Sequence, residues 1–328
     1  MRVLITGGTG FIGKKLAAAL LREGGLALDG GEARRIERLT LFDAFPGEGV
    51  PTDPRVGVVT GDIADPGVIG PLAAEADLVW HLAAIVSSNA EADFELGYQV
   101  NLDGTRVLLD ALRATSRRPR VVFASSLAVY GGDMPPVITD QTHLTPQTSY
   151  GAQKAMGELL VTDYSRKGFV DGRSLRLPTI AIRPGKPNKA ASTFASSIIR
   201  EPLAGQEAVC PVGRDAAMYY LSPRKVVAAF LHAMRLPESA WGATRALVLP
   251  GITATVGDMV DALGRVAGEA AVRRIRWEPD PAIERIVRGW PSRVAAERAR
   301  AMGFEPDASF DEIIRIHVED ELGGRIAA

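Results

Sequence analysis

The stretch Thr6-Gly7-Gly8-Thr9-Gly10-Phe11-Ile12-Gly13 follows a short apolar run at the start of the chain and precedes an amphipathic segment. Its glycines have the spacing Gly-x-x-Gly-x-x-Gly, which is typical of a strand-to-helix turn that binds a dinucleotide. The first glycine allows a tight turn, the second lets a pyrophosphate approach the backbone, and the third lets the helix pack on the strand. The helix N-terminus also offers N–H groups and a positive dipole end to the phosphates. The residues that this motif assigns to the cofactor are Gly7, Gly10, Phe11, Ile12 and Gly13.

The first half of the chain alternates continuous apolar runs with helical patterns. The predicted strands are residues 3–6, 39–43, 56–60, 78–82, 120–125 and one within 171–182, and the predicted helices are residues 13–23, 66–74, 103–115 and 149–167. Continuous apolar runs separated by helices indicate a parallel sheet covered on both faces. The predicted fold class is therefore α/β, with a doubly wound parallel sheet of the Rossmann type.

The second half of the chain is less regular. Its patterns predict helices over residues 193–201, 224–234, 256–268, 281–288, 293–302 and 310–322, and strands over 247–249 and 272–277. The first of these strands is expected to rejoin the main sheet. We therefore predict a cofactor domain of residues 1–177, to which segments near 213–250 return, and a smaller, mainly helical substrate-binding or lid domain of residues 178–328.

The composition excludes several classes of partner. The 328 residues include 38 Lys and Arg and 39 Asp and Glu, so a nearly neutral chain gives no electrostatic case for nucleic acid or an anionic membrane. No run approaches the roughly 18 apolar residues of a membrane helix. The single Cys210 cannot form an internal disulfide, which favours a cytoplasmic location. The four histidines are scattered without metal-ligand spacing, so no metal is predicted.

Asp43 ends the second predicted strand of the sheet. An acidic residue there can accept hydrogen bonds from the adenosine ribose hydroxyls and repels a 2′-phosphate, which favours NAD over NADP. The alternative is a solvated aspartate at a strand end. Its spacing from the glycines is longer than usual, and the polar insert at residues 26–32 accounts for the difference.

Two further strand ends are expected to line the cofactor crevice. After the third strand, Asp62 is positioned to accept from the adenine amino group and Ile63 to pack on the ring. The alternative for Asp62 is a helix cap before Pro66. After the fourth strand, the predicted cofactor residues are Leu82, Ala83 and Ala84.

The candidate catalytic residues are Ser126, Tyr150 and Lys154. Ser126 follows the fifth strand, and the other two are four residues apart on a predicted helix, so they share one face. A Tyr-x-x-x-Lys spacing alone is common. Its position after a serine-bearing strand end and a glycine turn is what indicates a site. Ser125, one residue nearer the strand, is predicted to contact the cofactor.

Hydride transfer explains this combination of side chains. A hydride leaves an alcohol carbon only as the hydroxyl proton is removed, and free tyrosine, with a pKa of about 10, is a poor base at neutral pH. The Lys154 ammonium and the positive nicotinamide ring both favour the phenolate of Tyr150. Lys154 is also expected to hold the nicotinamide ribose, and Ser126 to stabilise charge on the substrate oxygen.

With these motifs the chain resembles the extended short-chain dehydrogenase/reductase family, also called the NAD-dependent epimerase/dehydratase family, over nearly its whole length. The resemblance includes Asp62, residues 81–84 and Asn101 in Val100-Asn101-Leu102-Asp103-Gly104-Thr105. It implies that Asn101 belongs to the cofactor region as a structural support near the active-site helix. It also implies a homodimer built by the helices of residues 101–115 and 150–167.

A closer resemblance covers residues 175–189, 194–211 and 221–224. These stretches are similar to a branch of the family that oxidises C2 of a four-carbon sugar acid with NAD. The resemblance implies that Pro178 and Thr179 lie beside the nicotinamide carboxamide. The chain is thus expected to oxidise the C2 hydroxyl of a short sugar acid.

A small hydroxy acid needs a cation for its carboxylate and donors for its hydroxyls. Arginine suits a carboxylate because it donates two parallel hydrogen bonds. Most cations in this part of the chain have the alternative of being solvated surface charges. Besides Ser126 and Tyr150, the predicted substrate residues are Ser87, Ser88, Arg183, Lys186, Asn188 and Arg224.

Two other functions are compatible with the same fold. A nucleotide-sugar epimerase or dehydratase is the first, although a dehydratase usually has an acidic pair beside the serine, where this chain has Leu127-Ala128. An NAD-binding regulator is the second, and such proteins tend to lose the tyrosine or lysine that this chain retains. Release of free NADH separates a dehydrogenase from an epimerase, which recycles it.

Overall fold

A computed structural model describes residues 1–185 and 191–327. The strands in chain order are β1 Arg2–Thr6, β2 Gly25–Ala27, β3 Ala33–Arg35, β4 Arg38–Asp43, β5 Val56–Thr60, β6 Leu78–His81, β7 Arg120–Ser126, β8 Asp171–Leu177, β9 Thr179–Ile180, β10 Ala208–Cys210, β11 Ala217–Leu221, β12 Ala246–Val248, β13 Ile252–Thr255 and β14 Ile275–Trp277.

The helices lie between these strands and after them. In chain order they are α1 Phe11–Glu23, α2 Pro66–Glu75, α3 Ser87–Ala92, α4 Phe94–Tyr98, α5 Gly104–Ala114, α6 Ser149–Arg166, α7 Phe194–Leu203, α8 Pro223–Arg235, α9 Val256–Ala267, α10 Glu269–Val272, α11 Pro281–Arg288, α12 Glu297–Ala301 and α13 Phe310–Leu322. A π-helical turn, Gln99–Asp103, joins α4 to α5.

The main sheet has seven strands in the order β12-β8-β7-β6-β1-β4-β5. Thr6 at the end of β1 is level with Phe42 of β4 and His81 of β6, and His81 is level with Phe123 of β7, all in parallel register. The strand order reverses between β1 and β6, which is where doubly wound sheets bind their ligands, outside the carboxyl ends of the strands. The predicted doubly wound parallel sheet is confirmed, and β12 confirms that a late strand rejoins it.

The chain divides into two compact units. Unit 1 contains Met1–Val129, Pro146–Arg176 and Val227–Leu247, and unit 2 contains Tyr130–Thr145, Leu177–Val226 and the chain from Val248 onward. In unit 1 a buried cluster that includes Leu4, Val79 and Val121 packs with Leu108 and Leu112 of α5. The central strands β1, β6 and β7 are largely apolar because helices cover the sheet.

Unit 2 has a hydrophobic core of its own, formed largely by helices. Phe194 and Ile198 of α7, Met259 of α9 and Ile314 of α13 are buried there with Tyr220 of β11. A three-stranded sheet in the order β13-β11-β9 and the parallel pair β10–β14 complete the unit.

Some predicted elements are wrong in detail. The polar insert, for which the sequence predicts no strands, carries an antiparallel hairpin, β2–β3. Pro178 separates β8 from β9, which pairs with β11 and not with the main sheet, because proline has no N–H for a ladder hydrogen bond. The helix predicted over residues 293–302 is only α12, since Val294 instead forms a parallel bridge with Ile138.

Candidate active site

The glycine turn between β1 and α1 is shaped by backbone that side chains would block. Gly7 has φ 69°, in the left-handed region, and a Cβ there would lie 2.7 Å from the backbone nitrogen of Ala83. A Cβ on Gly13 would lie 2.3 Å from the Gly7 carbonyl oxygen. Gly10 is the N-cap of α1 and has no side chain to cover the first turn. The turn therefore leaves the end of the helix open to an anion, and these residues fit a dinucleotide pyrophosphate.

Asp43 is half-buried beside the glycine turn. Its Oδ2 accepts from the Thr9 backbone N–H at 3.2 Å, and its Oδ1 accepts from the Ala44 N–H at 2.9 Å. The Phe42 carbonyl accepts from the Gly8 N–H at 3.0 Å, which ties the turn to β4. The carboxylate is thus held at the place where the sequence predicts a ribose ligand.

Asp62 is exposed after β5. Its Oδ1 accepts from the Ala64 N–H at 2.8 Å, and its Oδ2 accepts from the Gln99 side-chain amide at 2.9 Å. The alternative interpretation of Asp62 as a helix cap is wrong, because Asp65 is the N-cap of α2 and accepts from the Gly67 N–H. Ile63 is 4% exposed and belongs to the core of unit 1.

A buried histidine organises the edge between β1 and β6. The Thr105 hydroxyl donates to the Asn101 carbonyl at 2.7 Å, so it must accept from Nε2 of His81, 2.9 Å away. Nδ1 is then the acceptor for the Thr6 hydroxyl at 2.6 Å. Burial, followed by the nearby charge of Lys154, lowers the pKa of His81 to about 3, so the ring is neutral.

This hydrogen-bond chain reaches the segment after β6. The Ala83 N–H donates to the Thr6 hydroxyl at 3.3 Å, which orients the backbone of the half-buried residues 82–84. Asn101 accepts from the Ile85 N–H, donates to the Ile85 carbonyl, and donates to Gln153 of α6 at 2.7 Å. Asn101 therefore braces the loop after β6 against the active-site helix.

Ser126 and Tyr150 are both half-buried in unit 1, at the end of β7 and in the first turn of α6. The Ser126 hydroxyl oxygen accepts from the Ala128 N–H at 3.1 Å, and the N-cap Thr148 accepts from the Gly151 N–H at 3.1 Å. A Cβ on Gly151 would lie 2.1 Å from the Ala128 carbonyl oxygen. The start of α6 thus packs directly on the turn that follows Ser126.

Lys154 lies one turn after Tyr150 and is 2% exposed. Its Nζ is 4.7 Å from the centre of the Phe123 ring and 5.7 Å from the centre of the Tyr150 ring. Burial lowers the pKa of Lys154 to about 7, and the Glu158 carboxylate opposes this decrease. The Lys154 ammonium therefore gives up its proton near neutral pH.

The buried ion pair Glu158–Arg176 is a part of the site that the sequence patterns do not predict. The Ser125 hydroxyl donates to Glu158 Oε1 at 2.5 Å, so its side chain faces this pair. The available signal was the position of Glu158, four residues after Lys154 on the same helical face.

The predicted substrate and carboxamide residues occupy both units. Ser87 and Ser88 begin α3 in unit 1 and are half-buried. In unit 2 Pro178 is buried and Thr179 lies on β9 beside Tyr220 of β11.

The predicted cations of unit 2 have different surroundings. Arg183 is exposed, and its backbone N–H donates to the Ser196 hydroxyl at 3.0 Å. Arg224 pairs with Glu319 at 2.9 Å and Asp320 at 2.6 Å. Lys186 and Asn188 lie outside the described residues.

The described residues contain neither a cluster of metal-ligating side chains nor a helix that could span a membrane. Across residues 1–185 and 191–327, no group of three or more His, Cys, Asp or Glu side chains is placed to hold a metal ion. Within the same residues, no helix is both long enough and apolar enough to cross a membrane.

Comparison with known proteins identifies the class that this fold and site define. The model of the NAD dependent epimerase/dehydratase family matches residues 3–244, and the chain belongs to this family. The predicted family and the NAD cofactor are confirmed, and the chain is an NAD-dependent oxidoreductase.

Individual relatives are similar over nearly the full length. A D-erythronate dehydrogenase of Cupriavidus necator is 54% identical over 321 residues, covering 98% of each chain. A D-erythronate dehydrogenase of Haemophilus influenzae is 46% identical and covers 98% of this chain and 100% of its own. A solved structure described as a nucleoside-diphosphate-sugar epimerase from Agrobacterium tumefaciens is 48% identical, with TM-score 0.94 over 100% of this chain and 96% of that chain.

Proposed function

We propose that this chain oxidises the C2 hydroxyl of a short sugar acid, D-erythronate, to 2-dehydro-D-erythronate with NAD. The observation that carries the reaction type is the placement of Tyr150 one turn before the buried Lys154, on a helix that packs against the turn after Ser126. The substrate follows from the two relatives named D-erythronate dehydrogenase.

Tyr150 is the proposed general base. It removes the C2 hydroxyl proton while Lys154, in its ammonium form, stabilises the phenolate. Ser126 donates to the substrate oxygen and stabilises the charge that develops there. NAD, when bound, supplies the acceptor for the C2 hydride. In the reverse direction Tyr150 returns its proton to the carbonyl oxygen.

Unit 1 is the proposed NAD domain. The glycine turn would hold the pyrophosphate, and Asp43 would accept hydrogen bonds from the adenosine ribose. Asp62 would accept from the adenine amino group, and Ile63 would pack on the adenine ring. Lys154 holds the nicotinamide ribose. The remaining proposed cofactor residues are Leu82, Ala83, Ala84, Asn101 and Ser125 in unit 1, and Pro178 and Thr179 in unit 2.

Asp43→Ala is expected to weaken NAD binding and to narrow the discrimination against NADP. The half-buried carboxylate accepts two backbone hydrogen bonds that fix it beside the glycine turn, where it would repel a 2′-phosphate. Loss of one charge-assisted hydrogen bond is worth roughly 1.5–3 kcal/mol. The ratio of kcat/KM for NAD and NADP measures the change. A wild-type enzyme that used both cofactors equally would contradict the assignment.

The proposed carboxylate ligand is Arg183, with Lys186, Asn188, Ser87 and Ser88 as the other candidates. Arg183 is exposed and follows β9 by three residues. Arg224 is a weaker candidate, because it lies much farther along the chain from Thr179 than Arg183 does, and it pairs with Glu319 and Asp320.

The experiment that tests this function compares D-erythronate, L-threonate, uronic acids and UDP-sugars with NAD. We expect net NADH release with D-erythronate or a close short aldonate. Arg183→Ala is expected to raise the KM for that substrate about tenfold or more, since a bond worth roughly 1.5–3 kcal/mol is lost. Arg224→Ala is the comparison variant, and its KM is expected to change less.

The epimerase is the second candidate, because the solved structure that is 48% identical is described as a nucleoside-diphosphate-sugar epimerase. An epimerase returns the hydride to its substrate and releases no free NADH. Activity confined to UDP-sugars, without NADH, would therefore place this chain in the epimerase class.

We further propose a cytoplasmic homodimer in which α5 and α6 form the interface. Leu159 on α6 is 67% exposed, which supports a partner on this helix. The single Cys210 is buried, as a reducing compartment allows. Sedimentation equilibrium of the purified chain measures the dimer, and a monomer at micromolar concentration would refute it.

A further inference from the structure

Glu158 lies one helical turn beyond Lys154 on α6 and is 3% exposed. Arg176 donates to both of its oxygens, with Nε 2.9 Å from Oε1 and Nη2 2.7 Å from Oε2. The Ser125 hydroxyl donates to Oε1 at 2.5 Å. These three hydrogen-bond donors hold the two oxygens of the Glu158 carboxylate in one orientation. The carboxylate therefore lies at a fixed position, from which it acts electrostatically on Lys154.

This buried pair is not needed for stability alone. Desolvation of two charges offsets most of their attraction, and apolar side chains of the same volume are often equally stable. The position of this charged pair beside the proposed catalytic lysine indicates that it contributes to the electrostatics of the site.

The side chains near Lys154 come from four elements of unit 1. On α6 these are Tyr150 and Glu158, on β7 the Phe123 ring, and on β6 the neutral His81. On β8 the guanidinium of Arg176 is paired with Glu158. Of these described groups, Glu158 is the one with a carboxylate side chain.

We propose that Glu158, clamped by Arg176 and Ser125, is a positioning residue that keeps Lys154 charged inside the site and thereby acts on Tyr150. This inference rests on the proposed function, in which Tyr150 is the base and Lys154 its electrostatic partner. Burial lowers the pKa of Lys154 to about 7, and the Glu158 carboxylate keeps this pKa from falling further. Lysines that are buried without such help fall to about 5–6.

The sign of the effect follows from this coupling. Without the Glu158 carboxylate, Lys154 loses its proton at a lower pH and is neutral where the enzyme works. A neutral lysine no longer favours the phenolate, so Tyr150 ionises at a higher pH. The direct influence of Glu158 on Tyr150 has the opposite sign, but it acts across two helical turns and is the weaker of the two.

Glu158→Gln tests the proposal in the free enzyme. The ultraviolet absorbance of the Tyr150 phenolate, taken as the difference from Tyr150→Phe, is titrated with pH. We expect its midpoint to rise by about one unit and turnover at neutral pH to fall about tenfold, since one pKa unit is a factor of ten. A fall in thermal stability with an unchanged midpoint would show that the pair is only structural and would overturn the proposal.

Two further variants keep the test decisive. Asp163→Asn removes an exposed, paired carboxylate from the same helix, and its midpoint is expected to stay at the wild-type value. If Glu158→Gln does not fold, Glu158→Gln with Arg176→Met leaves no unpaired buried cation, and the raised midpoint is expected there as well. Failure of the proposed function can be distinguished from failure of the Glu158 proposal, because only the former would leave turnover unchanged in Tyr150→Phe.

Discussion

Tyr150→Phe is expected to lose most of the turnover, by about 10²–10⁴-fold, because that is what general base catalysis typically contributes. Affinity for NAD is expected to stay within a few-fold. The ring that Lys154 Nζ approaches at 5.7 Å remains, and only the titrating oxygen is removed. Steady-state rates with D-erythronate and a fluorescence titration with NADH measure the two effects separately.

The matched control for this substitution lies on the same helix. Tyr164 is near the other end of α6, and its hydroxyl donates to Asp110 at 2.8 Å. Tyr164→Phe removes the same atom without touching the site, so turnover is expected to remain close to wild type. Wild-type turnover in Tyr150→Phe, or equal losses in both variants, would mean that the base is another group.

The parts of the site that sequence predicted are those governed by local chemistry. The glycine turn can be predicted from the sequence because only glycine tolerates the φ of Gly7 and the close approach of Gly13 to the Gly7 carbonyl. Tyr150 and Lys154 are readable because a helix places residues four apart on one face. The parallel, doubly wound class of the sheet follows from the alternation of apolar runs and helices, which permits few topologies.

The parts that sequence did not predict depend on contacts between distant strands. The tautomer of His81 follows from Thr6 and Thr105, which are 75 and 24 residues away, and depends both on the register of β1 and β6 and on the packing of α5. Arg176 meets Glu158 because β8 packs under α6, and no local pattern records that meeting. A charged residue in a strand pattern is ambiguous until its partner is known.

The second half of the chain was harder to predict for the same reason. The strands β9, β11 and β13 have two to five residues each, and their pairing joins segments far apart in sequence. Short strands of this kind have weak periodicity. The isolated bridge of Val294 to Ile138 has none at all, so the sequence pattern extends the helix over residues 293–302 too far.

Gly151→Ala is expected to lower turnover by about 10²-fold, although alanine is the better helix former. Helix propensity favours alanine over glycine by about 1 kcal/mol. The new Cβ would lie 2.1 Å from the Ala128 carbonyl oxygen, which is backbone and cannot move aside alone. The start of α6 must therefore shift away from the turn after Ser126, and a displacement of about 1 Å at a reacting group is enough to cost about 10² in rate.

The same clash is expected to lower stability by about 1–3 kcal/mol, the usual cost of overpacking. Gly264→Ala in α9 is the matched control, because a Cβ there would lie 3.4 Å from the nearest atom, a Val272 methyl, which is ordinary van der Waals contact. That variant is expected to gain about 0.5–1 kcal/mol with unchanged turnover. The expected result is a lower stability in thermal unfolding for Gly151→Ala, a higher stability for the control variant, and a loss of kcat only in Gly151→Ala. This result would show that the contact between α6 and the turn after Ser126 sets the catalytic geometry. A Gly151→Ala enzyme that is more stable and fully active would mean that the two elements do not need this close approach.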